Sequence, residues 1–145
     1  MPRAFTIRGV SGFNDVLGRE EIQGTCGACH NAPNVGTSSE GRLMDIGVSS
    51  ADDRTPELPL YTFRKKQSGD EIRTSDPGQA LFTKQWAHMN RFKVPNLRGL
   101  VSRAPYLHNG AAATLADVVD YHDRRFEIGL TSDESAALVA FLSAL

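Results

Sequence analysis

The chain is poor in features that would mark several common protein classes. Its only cysteines are Cys26 and Cys29, and no two histidines fall at the H-x₃₋₅-H spacing, so the ligands needed to complete a zinc site are missing. No apolar stretch is long enough to span a bilayer, and the opening Met1-Pro2-Arg3-Ala4-Phe5-Thr6-Ile7-Arg8 lacks the apolar core of an export signal. Neither sign of charge dominates: 16 Lys and Arg stand against 17 Asp and Glu, which removes any net-charge case for nucleic acid or an anionic membrane surface. There is no internal repeat or low-complexity tract. At 145 residues the expected organisation is one domain over 1–145, with a poorly defined segment at 1–20.

What the chain does have is Cys26-Gly27-Ala28-Cys29-His30, which reads C-x-x-C-H, the attachment signature of a c-type haem. Two thiols three positions apart on one turn can each add across a vinyl group of one porphyrin, and the next side chain then lies beneath the iron. His30 is the expected proximal ligand. A thioredoxin-like dithiol is the competing reading, but it needs a βαβ context, and the polar, Gly-punctuated residues before the motif and the loop-like ones after it show none. The expected cofactor is therefore one covalent haem c. Attachment of this type takes place outside the bacterial cytoplasmic membrane, so a periplasmic location is expected, with the signal removed or the chain a fragment.

In chain order, Gly9, Gly12 and Gly18 suggest a loop over residues 1–20 with a short helix near Phe13 to Leu17. Such a short element before the motif hints at a missing upstream part. Residues 31–60 are rich in Gly, Ser, Asp and Pro, and no hydrophobic period survives, which predicts a long loop wrapping a haem edge. Leu60-Tyr61-Thr62-Phe63-Arg64 and Glu71-Ile72-Arg73-Thr74 suit a small hairpin. Asp76-Pro77 then predicts a helix start, with the helix running through Ala80, Leu81, Phe82 and Trp86 towards Met89. Pro95 opens a short helix through Leu97, Leu100 and Val101. Thr114 caps the next helix, whose stripe Leu115, Val118, Val119 ends on His122. Thr131 and Glu134 form a capping box for the last helix, with Leu138, Phe141, Leu142 and Leu145 facing the core. The expected fold class is all-α with long loops and a small β-hairpin.

A second axial ligand would separate electron transfer from catalysis at an open iron. Met89 lies at a suitable distance downstream, although an apolar thioether more often fills a core. His122 sits on an apolar stripe, where an unpaired imidazole is costly to bury, and it can equally be a core histidine satisfied by a carbonyl. Tyr121 is rotated about 100° from that stripe, and His88 lies in a charged neighbourhood that suits solvent. His122 is the favoured ligand and Met89 the alternative.

The segments Phe92-Lys93-Val94-Pro95-Asn96-Leu97-Arg98 and Arg103-Ala104-Pro105-Tyr106-Leu107-His108-Asn109-Gly110 carry a resemblance. So do Thr114-Leu115-Ala116-Asp117-Val118-Val119, Gly129-Leu130-Thr131 and Val139-Ala140-Phe141-Leu142. With the haem motif, and from about residue 22 to the end, they resemble the C-terminal haem domain of the bacterial dihaem cytochrome c peroxidase and MauG-like family. The resemblance implies a cytochrome c-like haem domain. It implies a distal ligand, Met in the peroxidases and Tyr in MauG-like members, at the position held here by His122, fourteen residues beyond His108. It also implies that Arg98 lies close to the haem, where a guanidinium suits a propionate, and that His108 is structural or at the haem edge. Calcium at the family's domain interface is doubtful, since Arg103 stands where Thr is common.

No catalytic residue is assigned, because the peroxidases use a second haem and this sequence has no second C-x-x-C-H. The expected function is single-electron transfer through a haem ligated by His30 and His122, to a redox partner protein or a second haem domain. The alternative is the electron-relay half of a dihaem peroxidase or MauG-like oxidase whose peroxidatic domain lies elsewhere.

Overall fold

Short strands and single helical turns make up much of the chain, and long helices are confined to its last third. The structure is a computed structural model that describes residues 3–31 and 41–145. Strand β1 (Phe5–Arg8), the one-turn helix α1 (Asn14–Leu17) and β2 (Glu21–Gly24) come first. They are followed by β3 (Leu43–Met44), β4 (Tyr61–Arg64), β5 (Glu71–Thr74), the one-turn α2 (Ala80–Thr83) and β6 (Phe92–Lys93). Helices α3 (Leu115–Phe126) and α4 (Ser132–Ser143) complete the order. The strands pair antiparallel as β1–β2, β3–β6 and β4–β5, giving three separate two-stranded sheets.

The all-α expectation is therefore overturned. Among the described residues six strands stand beside only two helices longer than one turn. The cause lies first in residues 5–24, where Ile7 pairs with Ile22 across β1–β2 and is 1% exposed. With Val10, Phe13, Met44 and Val94 it forms a first core cluster. The glycines that suggested a loop are turns between these elements, and Gly12 has a further duty. At φ +90, a Cβ on Gly12 would lie 1.9 Å from the Leu43 carbonyl oxygen, so only glycine lets this turn cross β3. The short helix expected near Phe13 to Leu17 is present as α1.

Other expectations change too, and the short helix expected from Pro95 is reduced to a 3₁₀ turn over Leu100–Ser102. The helix from Pro77 to Met89 breaks after α2, where Lys84 turns left-handed (φ 59) and Gln85 becomes extended before a 3₁₀ turn over Trp86–His88. Phe82 is consequently 87% exposed and does not face a core. Of the long loop at 31–60, residues 32–40 lie outside the described residues, while the rest supplies β3 and the buried Met44 and Val48. The hairpin is found as expected, with Phe63 opposite Ile72 in β4–β5.

Helices α3 and α4 pack through a second cluster of Leu100, Leu115, Val119 and Leu142, joined by Leu138, Val139 and Leu145. Phe141, expected on that stripe, points to solvent, and Val139 takes its place. Both helices begin with capping boxes, Thr114 with Asp117 and Thr131 with Glu134. The Thr114 side-chain and backbone hydrogen bonds hold the Asp117 carboxyl below the usual carboxylate range, and the Thr131 backbone N–H does most to lower Glu134. A carboxylate depressed in the folded state contributes stability that is complete above its unfolded pKa and is lost as pH falls through the folded value. Far-ultraviolet circular dichroism should therefore show α3 and α4 fraying below about pH 4. The acid slope should be shallower in the Asp117→Asn, Glu134→Gln double variant.

Candidate functional site

Strand β2 delivers the chain to the motif through Gly24. A Cβ there would lie 2.9 Å from Ile7 Cδ1 and 3.2 Å from Ala28 Cβ, so glycine lets the next turn settle on β1. Thr25 is extended and leads into a 3₁₀ turn over Cys26–Ala28. The backbone N–H groups of Cys29 and His30 both donate to the Cys26 carbonyl, at 3.3 and 2.9 Å. Both sulfurs thus sit on one tight turn. Cys26 is exposed, whereas Ala28 and the half-buried Cys29 pack on the first core cluster.

The Cys29 thiol is shifted away from the range of a reactive dithiol. Burial pushes Cys29 up to about 11, with Cys26 adding to the shift and Arg42 opposing it. Reactive dithiols depend on a lowered thiol pKa, and here the shift runs the other way. Among the described residues no three His, Cys, Asp or Glu side chains come together as a metal cluster.

His122 lies where the two core clusters meet. On α3 it follows Val119, which packs in the second cluster, and precedes Phe126, which packs against the first. Its ring meets Tyr121 edge-on at 5.7 Å and Phe126 at 6.2 Å, and Phe126 in turn packs on Phe5 at 5.6 Å. His122 Nδ1 lies 2.8 Å from the Val118 carbonyl oxygen. A carbonyl only accepts, so Nδ1 carries the proton and Nε2 keeps its lone pair. Burial is the main cause that holds the His122 pKa below the ordinary histidine value; the Val118 bond opposes it, and nearby His30 lowers it further. Two vicinal thiols, a histidine directly after them, and a neutral imidazole within electrostatic reach of that histidine form a donor set that fits a covalently attached haem.

The other expected residues fall in different places. Met89 is 7% exposed, within the core. The Tyr121 hydroxyl donates to the Ile46 carbonyl at 2.9 Å, and burial, with Asp53 adding, pushes its pKa up to about 12. His88 Nδ1 lies 3.0 Å from Thr83 Oγ1. Arg98 is exposed; its backbone N–H donates to Asn96 Oδ1, and its guanidinium makes no hydrogen bond among the described residues. His108 pairs with Asp76 at 2.9 Å and stacks on Phe92 at 3.8 Å, which ties the loop after Pro105 to the end of β5. A cavity of about 240 Å³ lined by Asp53, Asn109, Asp117, Asp120, Tyr121 and Arg124 is a separate feature that includes neither His30 nor His122. Sequence reasoning passed over Arg42 near Cys29 and Arg125 on α3, since neither stands in a recognisable spacing with the motif.

The site thus defines a class, that of chains able to hold a c-type haem, and comparison with known proteins narrows it. The chain is 33% identical to the cytochrome-c peroxidase IdrP2 of Denitromonas iodatirespirans, over 98% of its own length and 40% of that protein. It is 29% identical to the cytochrome-c peroxidase IdrP1 of Pseudomonas sp. (strain SCT), over 95% of itself and 39% of the relative. It is 31% identical to the cytochrome c551 peroxidase of Nitrosomonas europaea, over 94% of itself and 37% of the relative. The chain spans about two fifths of the length of these relatives. No family model matches it, and no solved structure matches it significantly.

Proposed function

We propose that this chain is a haem c domain of the cytochrome c peroxidase family, corresponding to the C-terminal haem domain, and that it passes single electrons in the periplasm. Cys26 and Cys29 would hold the porphyrin by thioether bonds, with His30 and His122 as axial ligands. The observation that carries this reading is the pairing of the C-x-x-C-H turn with a neutral, partly buried imidazole whose Nε2 is uncommitted among the described residues. Haem bound in this way supplies a reversible one-electron couple at iron, and two imidazole ligands set it lower than an imidazole with a thioether would. The protein supplies the apolar packing of Cys29 and Phe126, and the exposed Arg98 guanidinium is available to a propionate.

The names of the relatives favour a relay role within a peroxidase over a free-standing carrier. The chain's partner would then be a second haem domain. No helix among the described residues is long and apolar enough to cross a membrane. The test is a pyridine haemochrome measurement on protein matured with periplasmic export, which should give one covalent haem per chain and a six-coordinate low-spin spectrum. Absence of covalent haem would overturn the reading, and rapid peroxide turnover by the isolated chain would overturn the relay role.

A further inference from the structure

The residues on either side of His122 reach one and the same backbone atom. The Tyr121 hydroxyl donates to the Ile46 carbonyl oxygen at 2.9 Å, and Arg125 Nε donates to it at 3.0 Å. The Arg125 guanidinium continues to the Gly9 carbonyl at 3.1 Å, so one side chain joins α3 both to the turn after β3 and to the end of β1. The same guanidinium lies 5.0 Å over the Phe126 ring, the ring that faces His122.

The atom being held is itself well anchored. The Asp45 N–H donates to the Ser11 carbonyl at 2.8 Å, and the Gly47 N–H donates to the Asp45 carboxylate at 2.8 Å. Gly47 has φ +100, and a Cβ there would lie 3.3 Å from the Tyr121 hydroxyl, 3.6 Å from the Asp53 carboxylate and 3.8 Å from Arg125 Nε. The positive φ, which side chains rarely adopt, and the close approach of the Tyr121 hydroxyl both favour glycine at this position. A helical turn fixed one residue before and three residues after His122 cannot roll about its axis, and rolling is the motion that would carry Nε2 away from its target.

We propose that Tyr121 and Arg125 are positioning residues that fix the place and tilt of the His122 imidazole through the Ile46 carbonyl, and so set how firmly that ring stays on the iron. This rests on the reading of His122 as distal ligand. The test uses matured holoprotein carrying Tyr121→Phe, Arg125→Met or Arg125→Lys, with His122→Ala as a reference. The measurements are the low-spin fraction, the reduction potential, the rate at which carbon monoxide displaces the distal ligand from reduced iron, and the thermal midpoint. Tyr121→Phe should speed displacement about fivefold, the loss expected of one hydrogen bond, and Arg125→Met, which loses the bonds to both the Ile46 and Gly9 carbonyls, should speed it further. Arg125→Lys, able to reach one carbonyl but not both, should fall between Arg125→Met and the wild type.

Unchanged rates and potentials together with lowered thermal midpoints would overturn the proposal, since a merely structural clamp moves only the midpoint. If His122→Ala keeps a low-spin spectrum, the ligand reading fails and the positioning role fails with it. If His122→Ala loses that spectrum while the clamp variants behave as wild type, the positioning role alone is overturned. Should Arg125→Met fail to fold, Tyr121→Phe decides by itself, because it removes a single hydroxyl.

Discussion

Replacing Cys26 and Cys29 together by alanine is expected to leave protein from which all haem is extracted by acid and organic solvent, whereas the wild type keeps its haem through denaturation. On the proposed reading each thiol would form one bond to the porphyrin, so the single variants should keep haem by one thioether and show a haemochrome band displaced to longer wavelength. The two single variants should differ in stability. Cys26 is exposed, while Cys29 packs beside Ala28 on the Ile7 and Phe13 cluster, so Cys29→Ala also removes a core contact worth on the order of 1 kcal/mol. Haem stain on a denaturing gel, together with a chemical denaturation curve, reads both effects. Retention of stain by the double variant would sink the assignment of these residues.

The parts of this molecule that were legible in the sequence are those written at short separation. The C-x-x-C-H turn, the capping box of α4 and the β4–β5 hairpin each lie within fourteen or fewer neighbouring residues, and local chemistry decides them. The helical stripe that picked out His122 is of the same kind, for Leu115 and Val119 do face a core. What escaped notice depends on distant partners. Phe5–Arg8 becomes a strand because Glu21–Gly24 lies beside it, and four residues broken by Gly9 carry too little pattern to announce this. Phe141 matched the apolar stripe of α4, yet the neighbouring helix covers Val139 and Leu142 and leaves Phe141 outside.

Arg125 is the clearest case. Its partners, Ile46 and Gly9, are 79 and 116 residues away in the chain, so nothing around Arg125 distinguishes it from a solvated arginine. Tyr121 presents the opposite difficulty. Its side chain could have been a ligand on chemical grounds; the rotation of about 100° set it off the stripe of His122, and the hydroxyl bond to Ile46 shows where it is committed instead. Motif spacing therefore identifies the residues at the candidate centre, while the contacts that orient them become visible only in the fold.

Substitution of His122 is expected to have the second large effect. With alanine there, Nε2 is lost and a small cavity opens between Tyr121 and Phe126, so the low-spin spectrum should give way to a high-spin one that small added ligands such as imidazole reverse. Methionine at the same position separates ligand chemistry from packing, because it fills similar space and offers a thioether. If the sulfur reaches the iron, the spectrum should remain low-spin and the potential should rise by on the order of 0.1–0.2 V, a modest part of the ~0.8 V span that axial ligands cover. Both variants delete the bond between the imidazole and the Val118 carbonyl, so a shared fall in thermal midpoint reports the lost packing, and only the potential and the spin state report the ligand. A His122→Ala protein with the spectrum and potential of the wild type would show that iron takes its second ligand elsewhere, and Met89→Leu would be the next variant to measure.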